Sequence, residues 1–290
     1  MPVAWRALGR WPVMSGEELE QGQWFLTLLG AWMLCWNGLP RTVSARQQNL
    51  LSILALHGGR SRAYLAGLLW PDSQQDQAAG SLRSCIWQLV HQFPGLLSET
   101  HDPVSLDPRV NVDLAAVRDC LTAIEEDVPE AYSLASLRLL DDAELLPGIY
   151  TDWIVFWQER LRLRRLNAAE ALAENFLDRG LYNAATEAAT LALSIEPLRE
   201  SAERLLIRSY LAAGNQAEAM NTYSAFRSRV RQQIGSEPSV DMRRLIWPDR
   251  DAGQNLVLPQ PTARAASDPR TSVSVTALQR FERPSSDIRT

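Results

Sequence analysis

Ser81, Arg83, Ser84, Gln88 and His91 set hydrogen-bonding side chains around a fixed charge within one helical stretch of this sequence. A guanidinium is permanently charged, and its planar fork of donors matches phosphate oxygens and the edge of guanine; hydroxyl, amide and imidazole groups add donors and acceptors. Such a set binds and reads; it carries out no covalent step. All 29 basic residues are Arg, because the chain contains no Lys, so an anionic partner must be met through guanidinium groups. Arg41, Arg46 and Arg62 stand near the starts of expected elements, and Thr100 and His101 in an expected turn, where each can reach a phosphate. There is no Walker loop, Gly-x-Gly-x-x-Gly turn, nucleophile elbow or metal-spaced His/Cys set. Cys35, Cys85 and Cys120 are far apart and read as buried thiols in a reducing compartment. No cofactor, metal or catalysis is expected.

These side chains need a frame. Trp24 to Trp36 is apolar and aromatic, with Leu26, Leu28, Trp32, Leu34 and Trp36 at even spacing, as in a strand with one buried face. Asn37-Gly38 then suits a two-residue hairpin turn, so Leu39 to Val43 is predicted to return as a second strand. Ser44 and Gln47 have capping-box spacing, and Leu50, Leu51 and Leu54 supply the stripe of a first helix. Ser61 caps a second helix that Pro71 ends. A third helix runs from Asp72 or Ser73 to about His91. There Leu82, Ile86, Leu89 and Phe93 share one face, which turns Arg83, Ser84, Trp87, Gln88 and His91 elsewhere. Trp87 can touch a thymine methyl, pack beneath the next hairpin or meet another protomer, packing being the expectation. Leu96 to Thr100 and Val104 to Leu106 form that closing hairpin. Hairpin, three helices, hairpin is the layout of a winged helix, whose last helix enters the major groove while the hairpin touches phosphates.

From Asp113, a plausible helix cap, the pattern is helical to about residue 247. Leu172, Ala173, Phe176, Gly180 and Ala185 are followed 34 residues later by Leu206, Ile207, Tyr210, Gly214 and Ala219, the tetratricopeptide period. Arg160, Arg162, Arg164 and Arg165 read as a solvated helix face, and Asp141-Asp142 as charge at a helix start. Charge is uneven. Residues 24–110 carry six Arg against five acidic residues, and 111–150 carry two Arg against nine, so the net charge of −5 does not exclude an anionic partner for the first segment. Four parts are expected: a loose extension 1–23 without the apolar core of a signal peptide or membrane span, a winged helix 24–110, a helical domain 111–247 and a disordered tail 248–290.

Residues 145–153 (Leu145-Leu146-Pro147-Gly148-Ile149-Tyr150-Thr151-Asp152-Trp153), Glu196-Pro197-Leu198-Arg199-Glu200 and Gly235-Ser236-Glu237-Pro238-Ser239 resemble the bacterial transcriptional activator domain (BTAD). Leu28-Leu29-Gly30, Leu68-Leu69-Trp70-Pro71-Asp72 and Ser81-Leu82-Arg83 resemble the OmpR-like winged helix that accompanies it in Streptomyces antibiotic regulatory proteins (SARPs). The resemblance implies a mainly α chain, a winged helix-turn-helix (α+β) followed by an all-α tetratricopeptide-like repeat domain. It implies a regulator of transcription, an activator, that binds double-stranded promoter DNA and contacts RNA polymerase, a second protomer or another protein through the repeat domain. The setting is bacterial cytoplasm at the nucleoid. Family members commonly carry Arg where this chain has Ala79, Gln88, Val90 and His91. That departure supports a rival reading, a tetratricopeptide adaptor whose winged helix no longer binds DNA.

Overall fold

Apolar alternation builds the first sheet, but Gly30 divides it. The computed structural model describes residues 22–98 and 102–248; the remainder of the expected extension and tail, and Thr100 and His101, lie outside the described residues. In place of one long strand, β1 (Trp24–Thr27) and β2 (Met33–Trp36) pair antiparallel, Trp24 opposite Trp36. Gly30 at φ +75° lets the chain reverse between them. Asn37 and Gly38, at φ +49° and +78°, make the expected tight turn into β3 (Leu39–Arg41).

Helix α1 (Ala45–His57) begins on the expected capping box, with Ser44 accepting from the Gln47 amide and Gln47 reaching back. Ser61 caps α2 (Arg62–Leu69). Helix α3 (Gln75–Gln92) starts three residues later than Asp72, because Trp70 to Ser73 closes as a turn in which the Ser73 amide donates to Trp70 O. Its predicted stripe of Leu82, Ile86, Leu89 and Phe93 is buried. Trp24 fixes the end of α3 by donating to Pro94 O at 2.9 Å and meeting Phe93 edge-on. The closing hairpin is reduced to isolated bridges, Leu97 with Leu106 and Arg60 with Val104.

Asn111–Val112, β4, then pairs parallel with β1, giving a sheet ordered β3-β2-β1-β4. The helical part follows as α4 (Asp113–Glu125), α5 (Leu134–Asp141), α6 (Asp152–Asp178), α7 (Tyr182–Ile195), α8 (Glu200–Ala212), α9 (Gln216–Gln233) and α10 (Val240–Ile246). The repeat seen in the sequence is repeated in its turns. Gly180 and Gly214 both have positive φ, and the Leu181 and Asn215 amides donate to Phe176 O and Tyr210 O, each at 2.8 Å.

Three sequence expectations are corrected where the two parts meet. Asp113 does not cap its own helix; its carboxylate accepts from the Leu28 and Leu29 amides at 2.9 and 3.0 Å, closing the free end of β1. Asp141 and Asp142 stand at the C-terminal end of α5, where negative charge is unfavourable, and Arg165 answers them by donating to Leu140 O and Asp141 O. Arg165 is therefore buried, not solvated. Its neighbours also make tertiary contacts: Arg164 grips Glu125 of α4 and Arg162 reaches Glu196. Beside them, Leu145 bridges to Leu29, and the Leu146 and Gly30 amides donate to Leu28 O and Glu144 O. One hydrophobic core consequently runs unbroken from Trp24 to Leu205.

His57, at the end of α1, lies on the same seam. The Trp157 indole donates to its Nε2 at 2.7 Å and Tyr64 Oη lies 3.0 Å from Nδ1. An indole N–H only donates, so Nε2 must present a lone pair and the proton belongs on Nδ1. Burial, then Arg60 and Arg118, hold the His57 pKa below its ordinary value.

Two outcomes follow from the seam. Asp113→Ala leaves two amides unanswered and should destabilise the chain by about 1–3 kcal/mol in urea unfolding; an unchanged midpoint would show water replacing the carboxylate at no cost. For His57, a lowered folded pKa means stability that is complete above the unfolded value and lost as pH falls through the folded one. His57→Gln, whose amide oxygen still accepts from Trp157, should therefore lose less of its melting temperature than the wild type between pH 7.5 and 5.5. Equal pH dependence in both proteins would remove His57 from the seam's titration.

Candidate nucleic-acid interface

Because Leu82, Ile86 and Leu89 are spent on the core, the opposite side of α3 is left uncovered by the described residues. Arg83, Ser84, Trp87, Gln88, Val90 and His91 are all exposed there. Asp76 in the first turn is the only carboxylate on this helix. Gly80, Ser84, Trp87 and His91 recur at steps of four and three residues and form its outermost crest.

Two grooves flank the crest. One of about 880 Å³ lies between the start of α1 and α3, lined by Ser44, Arg46, Gln77, Ser81, Ser84 and Gln88. The other, of about 440 Å³, lies between α2 and α3 and brings Arg62 and Arg83 onto one surface with Gly67, Trp70 and Gln75. Of the predicted contacts, Arg46, Ser81, Ser84 and Gln88 thus share one flank, and Arg62 and Arg83 the other. Arg41, on exposed β3, lines neither groove. His91 sits at the far end of the crest, stacked on Trp87 with ring centroids 4.1 Å apart and its Nδ1 2.8 Å from Trp87 O.

Trp87 departs from the packing expected of it, being 61% exposed. The helical period alone foretold this, since Trp87 lies off the Leu82–Ile86–Leu89 stripe; its apolar character pointed the other way. Arg60 and Gln77 went unrecognised in the sequence. Arg60 is exposed, its backbone bridges Val104 of the closing hairpin and its guanidinium lies over Tyr64. A lone Arg after Gly58-Gly59 gives no periodic signal, so only the folded hairpin reveals its place.

The frame holding this surface is stiff at both ends. Buried Gln47 donates to Gln92 Oε1 at 3.3 Å, tying α1 to the end of α3, while the Arg62 amide donates to Asp102 beside the hairpin turn. Among the described residues no group of three His, Cys, Asp or Glu could hold a metal ion, and no helix is long and apolar enough to cross a membrane.

Comparison with known proteins bears on both parts. Residues 115–247 match the family model of the bacterial transcriptional activator domain. The regulatory protein AfsR of Streptomyces coelicolor is 27% identical across 96% of this chain and 30% of its own length, and AfsR of Streptomyces griseus 28% identical across 76% and 24%. The chain thus spans under a third of these relatives. A solved structure of Mycobacterium tuberculosis EmbR in complex with a low affinity phosphopeptide shares the fold, with a TM-score of 0.61 at 18% identity over 78% of this chain and 64% of that one. The chain is therefore similar to these regulatory proteins: its residues 115–247 match the bacterial transcriptional activator domain, and its fold is that of a winged helix-turn-helix with a helical domain.

Proposed function

We propose that this chain is a transcriptional regulator, an activator, that binds promoter DNA through its winged helix without catalysing a reaction. The observation that carries this reading is the open side of α3, exposed from Arg83 to His91 and flanked by grooves holding Arg46, Arg62 and Arg83. An α-helix so presented fits the major groove, where a guanidinium reads guanine and an apolar side chain meets the thymine methyl. Arg83 reads a base or grips a phosphate; Ser81, Ser84, Gln88 and His91 add hydrogen bonds; Trp87 supplies the apolar contact. Arg41, Arg46 and Arg62 are assigned to phosphates, as are Thr100 and His101 from their place in the sequence. Gly80 supports a close approach, since a Cβ there meets nothing within 4 Å and helix packing gives no reason for a glycine. The repeat domain is the surface for RNA polymerase, a second protomer or another protein. The winged helix and repeat domain, 24–110 and 111–247, act as one body because they share a core. The proposed place of action is the cytoplasm, at the nucleoid.

Arg83→Ala should lower affinity for the host's upstream DNA about tenfold, as expected for a base-edge contact, with unchanged melting temperature, in anisotropy titrations at two salt concentrations. Equal affinity would remove Arg83 from the interface, and no salt-sensitive binding by the wild type would leave the adaptor reading in its place. Gly80→Ala should stabilise the chain by about 1 kcal/mol through helix propensity and yet weaken DNA binding. A gain of stability with full affinity would show that the duplex stands away from the crest.

A further inference from the structure

A cleft of about 330 Å³ opens on the seam between the two parts, lined by none of the residues assigned to DNA. Its floor is apolar, made by Leu56, Leu114, Leu145, Leu161 and the Trp157 indole, and its polar lining consists of Arg118, Arg160, Arg164 and Thr122. No carboxylate lines it. Of the three guanidiniums, that of Arg164 alone forms an ion pair among the described residues, with Glu125 at 2.6 Å. Arg118 donates to the Ala55 and Leu56 carbonyls at the end of α1, and Arg118 and Arg160 both lie over Trp157, 5.6 and 5.4 Å from the ring centroid. Two guanidiniums without an ion pair among the described residues are therefore gathered over an apolar floor, Glu125 being a carboxylate that feels Arg160. Their crowding is felt: burial, then Arg160 and Arg164, depress the Arg118 pKa.

We infer that this cleft binds a small amphipathic anion, its apolar body on Trp157 and the leucines and its carboxylate or phosphate facing Arg118, Arg160 and Arg164. The volume lies within the range of small-molecule sites, and guanidiniums held in place by other contacts lose little freedom on binding. Leu56 and Arg118 join the cleft to α1, and Trp157 also holds His57, so an occupant touches both the winged helix and the repeat domain. That makes the cleft an effector site, whose ligand tightens the seam. The inference stands apart from the DNA reading, because it uses none of the same residues.

The test is thermal unfolding of the full chain with phenyl phosphate, benzoate or the neutral benzyl alcohol at constant ionic strength. A saturable rise in melting temperature is expected with at least one of the anions and not with the alcohol, and the larger rise identifies the preferred head group. Arg160→Gln removes a charge that makes no structural hydrogen bond; it should fold normally and weaken the response at least tenfold. No saturable rise with either anion, or an undiminished rise in Arg160→Gln, overturns the assignment.

Discussion

The free end of β1 is the constraint on which the rest of the structure depends. Beyond Thr27 the Leu28 and Leu29 amides and the Leu28 carbonyl have no strand beside them, yet Leu28 and Leu29 are buried. Buried backbone groups without partners cost too much to tolerate, so partners must come from elsewhere. They come from the helical part: the Asp113 carboxylate takes both amides, and the Leu146 amide takes the carbonyl. Satisfying three backbone groups thereby joins two parts into one body.

This joint gives meaning to the Leu145-Leu146-Pro147-Gly148 segment that characterises the resemblance. Leu145 and Leu146 are buried at the seam, and the Gln158 side-chain amide donates to the carbonyls of Leu145, Leu146 and Ile149, holding the loop in shape. The same long helix, α6, sends Trp157 to His57, Arg164 to Glu125 and Arg165 to the end of α5. A helix with so many obligations on different sides cannot show one clean apolar stripe, which is why its arginines looked solvated. Arg162, Arg164 and Arg165 are the means by which it holds its neighbours, while Arg160 is exposed.

The consequence for function is mechanical. A winged helix that shared no core with its repeat domain would pass on only what a linker allows; here α1, which borders the groove containing Arg46 and Ser84, is gripped at its far end by Arg118 and Trp157. The seam and the proposed reading surface therefore border opposite ends of one helix. The repeat domain beyond it is less uniform. It ends in a separate small core of Ile207, Ala219, Tyr223, Phe226, Val230 and Met242, next to an ion pair between buried Glu203 and partly exposed Arg229 in which burial pushes the Glu203 carboxyl up to about 7.

Features set by neighbours along the chain could be read directly. The Asn37-Gly38 turn, the Ser44–Gln47 box, the Ser61 cap, the apolar side of α3 and the 34-residue repeat all depend on contacts within a few residues or on helical period. So did the outward direction of Arg83, Ser84, Gln88 and His91, which follows from the inward direction of Leu82, Ile86 and Leu89. Only the tertiary structure decided the role of Asp113, the burial of Arg165, the pairing of β4 with β1, and the gathering of Arg118, Arg160 and Arg164 into one cleft. In each case a polar group answers to a partner dozens of residues away, and electrostatic need leaves no periodic trace in a linear sequence.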